Sequence, residues 1–182
     1  MTSLGRLIAL TASWLLWMTP FFGMSSGGPP QKIDRRARWG ILLEGVGFSF
    51  VWSHWAWSPH PAAWQWAASL PFLVLGPVLS WTSARTLGRQ WRFDAGLNAD
   101  HRLVQEGAYR YVRHPIYASM FAQLLGTGVL LARLRFVAIA VVFFVIGTEI
   151  RVRIEDALLA SRFGDAFAEY RNRVPAYIPF IR

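Results

Sequence analysis

The feature that most restricts this chain is a series of five apolar runs, at 7–24, 39–57, 62–84, 115–131 and 134–150, with the cations largely confined to the gaps between them. A helix that crosses a bilayer needs about 20 mostly apolar residues, and in lipid its backbone must satisfy its own polar groups. The pattern predicts an all-α, polytopic membrane protein with about five transmembrane helices. The last two are expected to form a helical hairpin, followed by a cytoplasmic C-terminal helix. Composition agrees, since 54% of residues are hydrophobic and 16% charged, with 10 Trp and 13 Phe, far from soluble usage.

The gaps suggest an orientation. Run 7–24 is broken near its end by Pro20, is rich in Trp and is followed by no A-x-A site, so a retained span is expected rather than a signal peptide. The Gly/Pro turn SSGGPP then leads to Lys32, Arg35, Arg36 and Arg38, which places this gap in the cytoplasm. Pro71 and Pro77 inside the third run are tolerated where neighbouring helices satisfy the freed carbonyls. Tryptophans 52, 55, 57, 64 and 66 crowd the uncharged SPHP turn at 58–61, as an outer interfacial belt would. Residues 85–114 carry six arginines against three acids and belong on the cytoplasmic side. Arg133 and Arg135 oppose this orientation, and a tight hairpin whose arginines reach back to headgroups accommodates them. Beyond 150 the helix runs on into water, with Leu158, Leu159, Phe163 and Phe167 on one face, a stop or kink at Gly164, and Pro175 and Pro179 ending any later helix.

One domain, 1–182, is expected, with N-terminal spans in 1–86 and a loop, hairpin and tail in 87–182, the loop and the tail meeting in the cytoplasm. The net charge of +9 fits contact with membrane lipids better than nucleic acid, which is not an expected partner. With no cysteine, disulfides, thiolate metal ligands and cysteine nucleophiles are excluded, and no metal is expected.

The G-x-G pairs at 45–47 and 126–128 lie inside apolar runs without a preceding strand and read as helix-packing positions. Glu44 and His54, within the second run, have no partner identifiable from sequence and read as structural. His101, Tyr109, Tyr111 and Tyr117 each read alone as solvated or interfacial groups. Two clusters carry more. Arg113 and His114 precede Pro115, which sets the start of a helix, and Glu149, Arg151, Arg153, Glu155 and Asp156 follow at the exit of the next run. Arg151 and Glu155 are four apart and share a face, and a hairpin returns them to the level of His114 and Tyr117.

At LGRQW (87–91), HRLVQEGAYRYVRHPIY (101–117) and RVRIEDALLASRFGDAFAEYRNRVPAYIPFI (151–181) the chain resembles the isoprenylcysteine carboxyl methyltransferase family, integral-membrane enzymes that use S-adenosylmethionine. The resemblance implies that His101, Arg102, Leu103, Val104, Tyr109, His114, Pro115, Ile116, Tyr117 and Glu155 bind the cofactor. It implies that Arg151 is the catalytic and substrate-binding residue, holding the carboxylate of a lipophilic, prenylated acceptor. The chain departs from the family pattern at Ala108, Ser119 and Asp156, and none of these changes removes a polar role.

Methyl transfer from a sulfonium to a carboxylate is an in-line displacement by an anion, so it needs orientation and desolvation and no general base. An arginine fork at a lipid-facing mouth supplies the first and an apolar hairpin the second. Three alternatives share the layout. A phospholipid N-methyltransferase would leave Arg151 without a task, and an NADPH-dependent sterol-reductase-like enzyme would have Asn where Ile116 stands. A non-enzymatic membrane scaffold would not need the paired clusters.

Overall fold

The computed structural model describes residues 3–22, 24, 32–93, 95–97 and 100–178. The SSGGPP turn and the segment from Pro179 lie outside the described residues. Among the described residues the fold is all-helical, with six α-helices: α1 (Ser3–Met18), α2 (Ala37–Trp52), α3 (Ala63–Leu87), α4 (Pro115–Leu131), α5 (Leu134–Phe163) and α6 (Asp165–Arg173). One small departure is a two-residue antiparallel ladder between β1 (Lys32–Ile33) and β2 (Gly96–Leu97), which ties the first polar gap to the long loop.

Among the described residues, α3 with its short 3-10 continuation to Gln90 is the helix long and apolar enough to cross a membrane by length and composition alone. It runs unbroken through Pro71 and Pro77. The first two apolar runs yield helices of 16 residues, shorter than the runs themselves. Large apolar side chains cover the outside of the bundle, among them Leu7, Leu15, Val74, Val78, Val142 and Ile146, as expected where lipid replaces water.

α4 and α5 are joined by a tight turn at Ala132 and Arg133, as the hairpin expectation requires. Their main packing partners are nevertheless other helices: α5 lies chiefly on α2, and α4 chiefly on α3, which in turn holds α1. Small residues explain the choice. A Cβ on Gly40 would lie 2.5 Å from the Gly147 carbonyl oxygen, and one on Gly147 would lie 2.6 Å from that of Gly40, so backbones of α2 and α5 touch there. Gly47 meets Ala140 and Phe144, Gly126 meets Leu73, and Gly128 meets Val137, whereas Gly45 faces open space. Of the G-x-G glycines, three pack helices and one does not.

Polar side chains join α1 to the bundle. Ser13 donates to the Leu73 carbonyl at 2.7 Å and bonds Gln123, the Trp14 indole donates to Thr127 at 3.0 Å, and Ser80 donates to the Trp17 carbonyl at 2.7 Å. The connections at one end of the bundle converge: Ser58 N–H donates to Leu131, Arg133 N–H to Ala56, and Arg6 to the Ser58 carbonyl. Trp52, Trp55 and Trp64 are exposed at that end, but Trp66 is buried against Leu10, Leu73 and Leu130, so it belongs to the core and not to the belt. Arg135 rests on the Phe136 ring. The opposite end carries β1, β2, the loop, the extension of α5 and α6.

Candidate active site

Pro115 occupies the first turn of α4, where its missing N–H is no loss, and it sets His114 in the N-cap position. Opposite, α5 continues past its apolar part without a break, so that Arg151 and, one turn later, Glu155 and Asp156 emerge beside the start of α4. Gly164, in a left-handed conformation (φ 51°), ends α5 and turns the chain into α6. α6 buries Phe167 and Tyr170, with Leu103 packed beside them, and the Tyr170 hydroxyl donates to the Tyr109 carbonyl at 2.6 Å. The segment after α6 doubles back: the N–H groups of Arg113 and His114 donate to Pro175 and Ala176, each at 2.8 Å. The tail therefore clasps the loop to the start of α4.

These elements enclose a cavity of about 450 Å3, within the usual range for small-molecule sites. His101, Arg102, Leu103, Val104, Tyr109, His114, Ile116, Tyr117, Arg151 and Glu155 all line it. Pro115 does not; it is fully buried beneath the cavity, where its part is to fix the start of α4. Trp17, Phe21, Gln90 and Trp91 also line it, and sequence reasoning assigned none of them a role. Trp17 is held by its indole N–H, which donates to Ser119 at 3.0 Å, while Ser119 donates to the Ile116 carbonyl at 2.6 Å. The lining thus combines charged and polar side chains with aromatic ones, Trp17 and Phe21, from the end of α1.

Two buried ion clusters form its floor. In the first, His114 lies between two carboxylates, Nε2 at 2.9 Å from Asp156 and Nδ1 at 3.3 Å from Glu155. Asp156 also accepts from Arg113 at 2.9 Å, and Glu155 accepts from the Tyr117 hydroxyl. Burial pulls the His114 pKa down, but the bonds to Asp156 and Glu155 outweigh it and raise the value to about 9, so the ring is an imidazolium donating from both nitrogens. Burial pushes both acids up, and their contacts with His114 more than reverse it, holding Glu155 and Asp156 below the usual carboxylate range. The loop histidine behaves oppositely, as burial lowers the pKa of His101 and keeps it neutral.

The second cluster centres on Arg151, which is 7% exposed. Its guanidinium donates to Glu44 at 3.0 Å and to the Phe93 carbonyl at 3.2 Å, and lies 4.8 Å from the centre of the Tyr117 ring. Glu44, 2% exposed, also accepts from Thr148 at 2.9 Å. Glu44 therefore has partners after all, both on α5. His54 is apart, in the turn after α2. Arg153, two residues from Arg151, points away and makes an exposed pair with Glu149 at 2.7 Å.

Among the described residues, the buried polar atoms without a hydrogen-bond partner include Gln90 Oε1, His101 Nδ1 and Arg151 Nε on residues that line the cavity, and Trp66 Nε1 and Ser69 Oγ, which lie away from it. Acceptors and donors of this kind, with Glu155 among them, suit a nucleoside with hydroxyl and amino groups, and an arginine with uncommitted N–H groups suits a carboxylate.

Fold and site together define a small helical membrane protein whose lipid-facing bundle ends in a largely apolar cavity with buried ion pairs beside it. The family profile of isoprenylcysteine carboxyl methyltransferase (ICMT) matches residues 69–161. Three relatives extend the match. The chain is 38% identical over 120 residues to the protein-S-isoprenylcysteine O-methyltransferase of Schizosaccharomyces pombe, covering 63% of this chain and 49% of that one. It is 32% identical over 143 residues to protein-S-isoprenylcysteine O-methyltransferase B of Arabidopsis thaliana, covering 77% and 68%. It is also 32% identical to the cobalt-zinc-cadmium resistance protein CzcN of Cupriavidus metallidurans, covering 78% and 62%. The chain belongs to the isoprenylcysteine carboxyl methyltransferase family, and spans about half the length of the Schizosaccharomyces relative and about two thirds of the other two. The family is one of membrane enzymes whose general methyl donor is S-adenosylmethionine.

Proposed function

We propose that this protein is an S-adenosylmethionine-dependent carboxyl O-methyltransferase acting on a lipophilic, isoprenylcysteine-like acid delivered from the membrane. The observation that carries the reading is that Arg151 and Glu155, one turn apart on α5, line the same cavity as His114 and Tyr117 of α4. When bound, S-adenosylmethionine supplies an electrophilic methyl group on a sulfonium. Gln90, His101, Tyr109 and Glu155 would receive the nucleoside, with Arg102, Leu103, Val104 and Ile116 closing around it. His114 and Tyr117 have their polar atoms committed to Glu155 and Asp156, so their part is to fix Glu155 rather than to hold the cofactor directly. Arg151 orients the acceptor carboxylate with the N–H groups that Glu44 and Phe93 leave over, and the apolar wall of Trp17, Phe21 and Trp91 excludes water and takes the greasy body. No group in this set is needed to remove a proton, because the acceptor is already an anion.

The reading carries an arrangement with it. The five helices α1 to α5 cross the bilayer, the amino terminus lies outside, and the loop, α6 and the active site face the cytoplasm, the side favoured by the arginine count. The chain works as one domain, since the cavity draws on α1 as well as on residues beyond 87. Calorimetric titration of detergent-purified protein tests the core of the proposal: S-adenosylmethionine and its demethylated product should bind and NADPH should not. Binding of NADPH alone would sink the methyltransferase reading, and binding of none of the three would favour a scaffold.

A further inference from the structure

The acid that meets Arg151 comes from α2, outside the stretch matched to the family, and it does not line the cavity. We propose that Glu44 is a positioning residue that cancels the charge of Arg151, so that a bound acceptor carboxylate finds its counterion in the cofactor sulfonium and is held firmly only when that cation is present. The inference rests on the carboxyl-methylation reading above.

The charges around the cavity floor are paired. Both oxygens of Glu44 are engaged, one by Arg151 and one by Thr148, as those of a carboxylate beside a guanidinium are. Arg151 has five N–H groups; two are donated to Glu44 and Phe93, and Nε is buried without a partner, so hydrogen-bonding capacity remains where net charge does not. The neighbouring cluster balances in the same way, His114 and Arg113 against Glu155 and Asp156. The other basic side chains of the lining, Arg92, His101 and Arg102, belong to the loop. A carboxylate entering this paired floor adds one negative charge in a water-poor site, which is costly unless a cation comes with it. A sulfonium is that cation. In the reaction the carboxylate oxygen bonds the methyl carbon while the carbon–sulfur bond breaks with its electron pair left on sulfur, and no proton moves. Ester and thioether are both neutral at the reacting atoms, so the attraction that assembled the complex is gone once transfer is complete. An Arg151 without Glu44 would instead grip the acid regardless of the cofactor and stabilise the anion that has to react.

The test is equilibrium binding of S-farnesyl-N-acetylcysteine to the detergent-purified full chain. It is measured once with the neutral demethylated cofactor and once with an unreactive cofactor analogue carrying an ammonium centre in place of the sulfonium. The wild type should bind the acid at least about tenfold more tightly beside the cationic analogue. In Glu44→Gln the acid should bind more tightly beside the neutral cofactor, reducing the difference to about threefold or less, and Glu44→Asp should restore it. Equal affinities in the two wild-type complexes overturn the inference without any variant. So does a Glu44→Gln protein that retains cofactor affinity but binds the acid more weakly or unchanged. Failure of the acid to bind in either complex overturns the methylation reading, and this inference with it.

Discussion

The two ion clusters under the cavity are built differently. The one around His114 joins residues that lie close together at the α4–α5 mouth, all drawn from 113–117 and 155–156, and has a chain of donors and acceptors in which each acid has two partners. The one around Arg151 joins helices 107 positions apart in sequence and depends on a backbone crossing at Gly40 and Gly147 that leaves no room for a methyl group. A local cluster can be specified by a short motif, whereas a remote one has to be specified by the packing of two helices. In the proposed reaction the first would shape the cofactor end and the second would set the electrostatics of the acceptor end.

This contrast can be broken experimentally, and the largest effect is expected at Arg151. Arg151→Ala should lower methylation of a prenylated cysteine analogue by about a thousandfold or more, as expected when a group that orients the acceptor is lost, with cofactor affinity nearly intact. It should also cost about 3–5 kcal/mol of stability, because Glu44 is left buried without a counter-charge. Adding Glu44→Gln should recover most of the thermal stability in detergent and none of the activity. Loss of cofactor binding in the single variant would show that the two clusters are not separable. His114 should respond to pH. Its pKa is raised from an ordinary 6.5 to about 9 on folding, so its stabilisation, about 3 kcal/mol, is fully present below pH 6.5 and is lost as pH rises through 9. Thermal unfolding followed from about pH 7 to 10 should show that fall, and His114→Asn should flatten it while weakening cofactor binding. Gly40→Ala tests the remote cluster through its packing alone, with an expected loss of about 1–3 kcal/mol and a rise in KM for the acceptor as Arg151 is pushed aside. Arg153→Ala is the smallest change, within about 0.5 kcal/mol and without effect on turnover, since its pair with Glu149 is exposed. A large effect there would mean that the face of α5 opposite the cavity has work of its own.

Much of the cavity lining was legible in the sequence. RHPIY fixes a helix start, the R-x-x-x-E spacing fixes a face, and a two-residue turn returns one to the other, which brings His114, Tyr117, Arg151 and Glu155 together; with the loop residues that the family resemblance implied, ten of the eleven expected site residues line the cavity. Pro115 was the exception for a simple reason, since a residue that sets the start of α4 is under the site and not in it. Glu44 was visible only as an acid in an apolar run, a signal that says a partner is needed without saying which. The partner was hidden because α5 packs mainly on α2 rather than on its hairpin neighbour, a choice made by Gly40, Gly47 and Gly147 jointly. Trp17 and Phe21 had no signal of their own among ten tryptophans and thirteen phenylalanines. The burial of Trp66 likewise depends on what its helix packs against, which local pattern does not encode, whereas α1 ends two residues before Pro20, which the sequence does show.

The α2–α5 crossing bears on how such a protein could be recombined. The stretch that carries the recognisable motifs holds an arginine whose counter-charge is encoded far upstream, before the residues that the family profile matches. A chimera that joins residues 87–182 to the first helices of another member would keep every motif and still exchange the partner of Arg151. Swaps within this family should therefore follow helix pairs rather than motif boundaries, with α2 and α5 inherited together.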